Sequence, residues 1–185
     1  MGDDEEEEDN FLIHDAVYAW AKGKPDNHPI SILQDALRSH PHSVNLLDTA
    51  NLTPMHLAVY FDAVDVVSLL LAWGGDPIIQ GSRGRSVLLL AICIEAHKCA
   101  KLLIQQGVDL NACTTHGPSC LDYRVGGKTV PLELTQLLIV QGANLTSSQG
   151  NPLHWLASCC SANNPVANSL AAQKTRLLLD AGLHV

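Results

Sequence analysis

The apolar positions of this chain fall into short helical faces separated by polar turns and glycines. The clearest pair lies between Thr53 and Gly74. Thr53 stands where its hydroxyl can cap a helix. Pro54 follows at the first helical position, where a missing N–H costs nothing and a fixed φ helps. Leu57 and Ala58 then open an apolar face. A second pattern, Val66-Val67-x-Leu69-Leu70-Leu71, predicts another helix, and Gly74 predicts its stop in a left-handed C-cap. Two short antiparallel helices and a glycine stop form one unit. Such a unit is too small to bury its own apolar face and requires neighbours.

The neighbours are found by adding 33 to each position. Thr53 maps to Ser86, Leu57 to Leu90, Ala58 to Ala91, Leu69-Leu70-Leu71 to Leu102-Leu103-Ile104, Gly74 to Gly107 and Asp76 to Asp109. A 33-residue period carrying Thr53-Pro54-Met55-His56-Leu57-Ala58 resembles the ankyrin-repeat family. The resemblance is close over residues 48–77, good over 81–111, weaker over 114–145, and returns at Pro152-Leu153-His154. It implies an all-α ankyrin-repeat solenoid of stacked helix-turn-helix units joined by short β-hairpin-like loops.

On that reading residues 1–9 are an acidic tail expected to stay disordered, and residues 10–185 form five repeats, approximately 10–47, 48–80, 81–113, 114–147 and 148–185. The tail is a solvated aid to solubility, or an acidic contact for a basic partner, or a shield of the first repeat until a partner arrives. The first repeat is degenerate, as terminal repeats are. His14 and Ala16 keep the first-helix pattern, Lys22 to His28 reads as a polar loop, Ile30 to Leu37 as the second helix, and Pro41 as its stop. In the second repeat Asn51 and Asp62 occupy positions where the family has glycine, and both tolerate left-handed backbone. Tyr60 and Phe61 end its first helix, either as core filling against a neighbour or as an exposed binding surface. Trp73 is expected to pack against a neighbouring loop. In the third repeat Leu89 replaces the usual His, so the hydrogen bonds of that His are lost. The fourth is loosened by Asp122, Tyr123, Arg124 and Gly126-Gly127, with a convincing second helix from about Pro131 to Val140 capped by Gly142. The fifth carries an Asn/Pro/Ser-rich loop over Ser161 to Asn168, then a second helix from Thr175 to Leu179 capped by Gly182. With no polar capping repeat after Val185, either the chain is a fragment of a longer protein or its last helix closes the stack unaided.

Composition narrows the function classes. Apolar residues make up 46% of the 185, and Leu and Ala rather than aromatics carry them. Of 19 acids, seven lie within Asp3 to Asp9, and the other 12 nearly balance 11 Lys and Arg, so the net charge of −8 belongs mostly to the tail. No basic face is offered to nucleic acid, and no polybasic run to a membrane. The longest apolar run, Val87 to Ile94, is far short of a spanning helix. The acidic start is not a secretory signal, and Glu6 stands where a myristoylation motif has Ser or Thr. The six cysteines show no paired spacing and are expected to be reduced thiols of a cytoplasmic or nuclear protein. Asn51-Leu52-Thr53 and Asn144-Leu145-Thr146 match the glycosylation pattern, which only an exported protein would use.

Catalytic and metal chemistry find little support. Cys113, His116 and Cys120, with His154, Cys159 and Cys160, offer zinc-ligating types at irregular spacing. Cys159 or Cys160 as a nucleophile would need a base in an electropositive site, which the sequence does not supply, and no phosphate-binding glycine loop appears. No cofactor and no enzymatic activity are expected.

The resemblance implies a non-catalytic adaptor, scaffold or inhibitor that binds a protein partner on a concave face of hairpin tips and first helices. The family's binding geometry points to Asn51, Leu52, Tyr60, Phe61, Arg83, Arg85, Ile94, Glu95, Thr115 and His116. Arg83 and Arg85 are either a solvated loop or a contact for an acidic segment. Leu103-x5-Asp109-Leu110-Asn111 resembles the ankyrin pattern modified by asparaginyl hydroxylases, with Asn111 as target. Thr53 to Val59 and Gly75-Asp76-Pro77 are reminiscent of the inhibitors of Rel-type transcription factors. The alternative class is the substrate-recognition arm of a ubiquitin ligase whose C-terminal module is absent from this chain. The chain alone is expected to be monomeric.

Overall fold

The structure, a computed structural model, describes residues 11–23, 30–111, 131–143 and 165–183. Among the described residues every regular element is helical. In chain order these are α1 (Leu12–Lys22), α2 (Ile30–Ser39), a 3-10 turn (Pro41–Asn45), α3 (Pro54–Tyr60) and α4 (Val64–Ala72). A second 3-10 turn (Ser82–Gly84), α5 (Val87–Cys93), α6 (His97–Gln105), α7 (Leu132–Val140) and α8 (Pro165–Asp180) follow.

Capping fixes where the helices begin. Thr53 Oγ1 accepts the His56 N–H (3.3 Å), and the Thr53 N–H donates to His56 Nδ1 (3.3 Å), a capping box with histidine in the place of the usual glutamate. Ser86 repeats half of this at α5, accepting the Leu89 N–H at 3.3 Å. Four helices end alike. After α4, α6, α7 and α8 the chain turns through Gly74, Gly107, Gly142 and Gly182, all at positive φ. Each turn is closed by the same two backbone bonds, such as Gly74 N–H to Leu71 O (3.1 Å) and Gly75 N–H to Leu70 O (2.8 Å). This six-to-one and five-to-two pairing satisfies helix carbonyls that would otherwise lack partners, and glycine adopts the left-handed turn without a Cβ clash.

The helices pack in two rows. The first helices α1, α3 and α5 lie side by side, and α4, α6 and α7 form the row behind them, with α8 against α7. One contiguous core runs between the rows through Ile13, Leu37, Leu57, Leu70, Leu88, Leu103 and Leu138. The α5 helix presents Val87, Leu88, Leu89, Ala91 and Ile92 to that core, so it is buried on nearly every side. The expected hairpin-like loops are tight reversals closed by Asp48 N–H to Leu52 O (2.9 Å) with Asn51 N–H to Asp48 O (2.8 Å), and by Gly81 N–H to Arg85 O (2.8 Å) with Gly84 N–H to Gly81 O (3.0 Å).

One detail differs from the sequence reading. The segment read as loop over Ser161 to Asn168 is helical from Pro165, so α8 starts there and not at Thr175. Proline at the first turn of a helix loses no hydrogen bond, and the run that follows is rich in alanine. Trp73 is 36% exposed at the end of α4. The acidic tail, the loop beyond Gly23, the first helices expected for the fourth and fifth repeats and Gly126-Gly127 lie outside the described residues.

Candidate protein-binding surface

The first-helix row has two ends, the reversals at its N-terminal side and the helix C-termini at the other. Two histidines hold the reversals in place. His14 on α1 lies 3.0 Å from the Leu52 carbonyl through Nε2, and His56 on α3 lies 3.1 Å from the Arg85 carbonyl through Nε2. A carbonyl only accepts, so both rings carry their proton on Nε2. His56 Nδ1 is then an acceptor, and the Thr53 hydroxyl approaches it at 2.7 Å. The ring also lies flat under the next reversal. A Cβ added to Gly81 would stand 2.7 Å from His56 Nε2. Burial lowers the His56 pKa from 6.5, opposed in part by the Arg85 carbonyl and the Asp48 carboxylate.

These anchors place the tip residues. Asn51 is exposed at φ 59°, in the left-handed conformation its chemistry allows. Leu52 is half-buried; its N–H donates to Asp48 Oδ1 (2.8 Å) and its carbonyl meets His14, so its backbone holds the tip together. Arg83 is exposed and also left-handed, at φ 61°. Arg85 is half-buried beside it.

At the far end of the row stand Tyr60 and Phe61. Both are exposed, Tyr60 by 62%. Phe61 nonetheless touches two rings edge-on, Tyr60 at 5.5 Å and 87° and Tyr18 of α1 at 6.0 Å and 75°. The three rings bridge the first and second units. Ile94 is exposed at the C-cap of α5, the position Phe61 holds at α3, and Glu95 follows it at φ 66°. Tyr18 was not among the sequence candidates. Its signal was present, since Tyr18 and Tyr60 each stand four residues after a first-helix histidine. Between tips and rings lies the length of α3, seven residues or about 10 Å at 1.5 Å per residue.

Thr115 and His116 lie outside the described residues, as do Cys113, Cys120, His154, Cys159 and Cys160. Among the described residues no cluster of three His, Cys, Asp or Glu is arranged to hold a metal ion. Burial and the neighbouring Asp62 carboxylate push the Cys99 thiol up to about 12, which leaves it a protonated core residue at neutral pH. Asn111 is exposed just after α6, its N–H donating to Asp109 Oδ1 at 2.8 Å. No described helix is long and apolar enough to cross a membrane.

Paired helices, left-handed glycine closures and histidine-anchored reversals, repeated in register, define a helical repeat protein. A family model described as ankyrin repeats, in three copies, matches residues 14–114. The chain belongs to the ankyrin-repeat family. Ankyrin repeats are in general protein-interaction modules, typically without catalytic activity.

Proposed function

We propose that this chain is a non-catalytic module that holds a protein partner against its first-helix row, between the reversals and the ring cluster, as an adaptor, scaffold or inhibitor. We extend the stack to residues 114–147 and 148–185, whose second helices are α7 and α8. The observation that carries the reading is the exposure of Tyr60 and Phe61. Neither ring fills the core, yet both stand together at the solvent face of an otherwise buried helix. Large apolar side chains grouped on a surface mark an interaction site more often than singly scattered ones. The frame beneath is built from buried leucines and paired backbone, so little ordering entropy remains to be lost on binding.

The test is retention of a partner from a lysate of the chain's own source. The native chain, a Tyr60→Ala/Phe61→Ala chain and an Arg83→Glu/Arg85→Glu chain are compared with Asp65→Lys on α4 as control. A protein retained by the native and control chains and lost from either face variant supports the assignment. A protein lost only with Asp65→Lys moves the site to the second-helix row.

A further inference from the structure

Resting on the face assigned above, we infer that the partner presents an amphipathic segment: apolar anchors for the Tyr18–Tyr60–Phe61 cluster and Ile94, and a carboxylate for Arg83. Three observations carry this.

The first is the ring geometry. Phe61 is held between Tyr18 and Tyr60 by two edge-on contacts. Rings that already restrain one another lose little rotamer freedom when a ligand docks, so the cluster is a preorganised apolar anchor. Ile94 takes the same helix-end position one unit later, which extends the apolar strip along the row. An extended or helical segment, not a single side chain, matches a strip of that form.

The second is the conformation of Arg83. At φ 61° it occupies backbone that asparagine or glycine adopts more readily, and the buried core gains nothing from its side chain. A non-glycine residue held left-handed without packing gain points to a use for the side chain outside the fold.

The third is the balance of charge on the face. Two of the nearby carboxylates, Asp48 and Asp62, are turned to their own chain. Asp48 Oδ1 accepts the Ala50 and Leu52 N–H groups (2.9 and 2.8 Å), and Asp62 Oδ1 accepts the Cys99 N–H (3.3 Å). Backbone donors offset much of their field, while the guanidinium of Arg83 projects from the reversal. Arginine meets a carboxylate in a two-pronged planar bond, which adds direction to the attraction. Aromatic rings with arginine also suit single-stranded RNA, but outside the tail 12 acids balance 11 Lys and Arg and no basic stripe is offered.

A library of random linear peptides displayed on phage, selected on the full chain, tests the inference. Enriched peptides should combine Leu, Phe or Trp with Asp or Glu. Their synthetic forms should weaken at least about tenfold, roughly 1.4 kcal/mol, on Tyr60→Ala and on Arg83→Glu. Tyr60 stands outermost in the cluster, so its removal leaves the Tyr18–Phe61 contact in place. Circular dichroism of each variant identifies any that fails to fold, and Arg83→Gln then replaces Arg83→Glu. Peptides lost on Tyr60→Ala but indifferent to Arg83→Glu overturn the acidic half and leave the face standing. Peptides lost only on Lys98→Glu or Lys101→Glu, both on α6, overturn the face itself. A library that yields no enrichment overturns the segment. An oligouridine probe that binds the chain and is lost on Tyr60→Ala overturns the protein partner in favour of RNA.

Discussion

The imidazole of His56 serves two units at once. Its Nε2–H reaches the Arg85 carbonyl of the next reversal, while Nδ1 receives the Thr53 hydroxyl and N–H of its own. A second proton would place a donor on Nδ1, facing the Thr53 N–H, and put a charge where water is scarce. Burial accordingly lowers its pKa from 6.5, with the Arg85 carbonyl and Asp48 opposing. The unfolded chain therefore binds the proton first on acidification. The His56 contribution to stability is present in full above about pH 6.5 and is lost as pH falls from there through the lower folded value. Urea unfolding at pH 7.5 and pH 5.5 should show the native chain less stable at the lower pH. His56→Gln should lower stability by about 1–3 kcal/mol at pH 7.5, through unpaired buried groups, and reduce the acid-induced fall. Equal falls in both chains would assign the pH dependence to other groups.

At the scale of the element, caps and stops were legible because each acts over a few residues. Thr53 and Pro54 announce a helix start, Gly74, Gly107, Gly142 and Gly182 announce stops, and Asn51 and Asp62 sit left-handed as their side chains permit. What was not legible depends on choices that local chemistry disfavours or on contacts from elsewhere. Nothing about arginine advertises the left-handed backbone of Arg83; the reversal that contains it imposes it, whereas Glu95, in the turn between α5 and α6, repeats Asp62 one 33-residue period later. The start of α8 was hidden because Asn, Pro and Ser suit a loop and a helix N-terminus equally. The pairing of Tyr18 with Phe61 joins two units and has no local signal beyond the shared distance from a histidine. The reversal itself provides a test. Arg83→Asn relieves part of the left-handed strain and should stabilise the chain by about 0.5–1 kcal/mol, read as a higher urea midpoint with unchanged slope. The same substitution should weaken the acidic segment inferred above. Stability gained and affinity lost in one variant would separate what the fold needs from what the surface offers. A lower midpoint would show that the arginine side chain supports the reversal.

Across the whole molecule, a repeat stack is as cooperative as its joints, because stability is approximately a sum of unit terms and nearest-neighbour terms. The joints here are uneven. Between the first and second units, His14 meets Leu52 and the Asn45 side chain forms a clasp: its Nδ2–H donates to Gly74 O (3.0 Å) and its Oδ1 accepts the Asp76 N–H (2.7 Å). Between the second and third, His56 meets Arg85 and Asp62 accepts the Cys99 N–H, but Ile78 stands one period after Asn45 and has no polar atom to form the clasp. Ile78 is 52% exposed, so the core does not require it. Two substitutions of opposite sign follow from this asymmetry. Asn45→Ala removes both clasp bonds and should lower stability by about 1 kcal/mol, while uncoupling the first unit so that the urea transition broadens. Ile78→Asn places an amide where its counterpart holds the preceding joint, within reach of the Gly107–Asp109 turn. It should raise stability by up to about 1 kcal/mol and sharpen the transition. Amide exchange locates each effect. With Asn45→Ala, protection should fall in α1 and α2 before it falls in α5 and α6, and with Ile78→Asn it should rise in α6. A uniform change along the chain in both variants would mean that the stack unfolds as one body and that its joints do not differ.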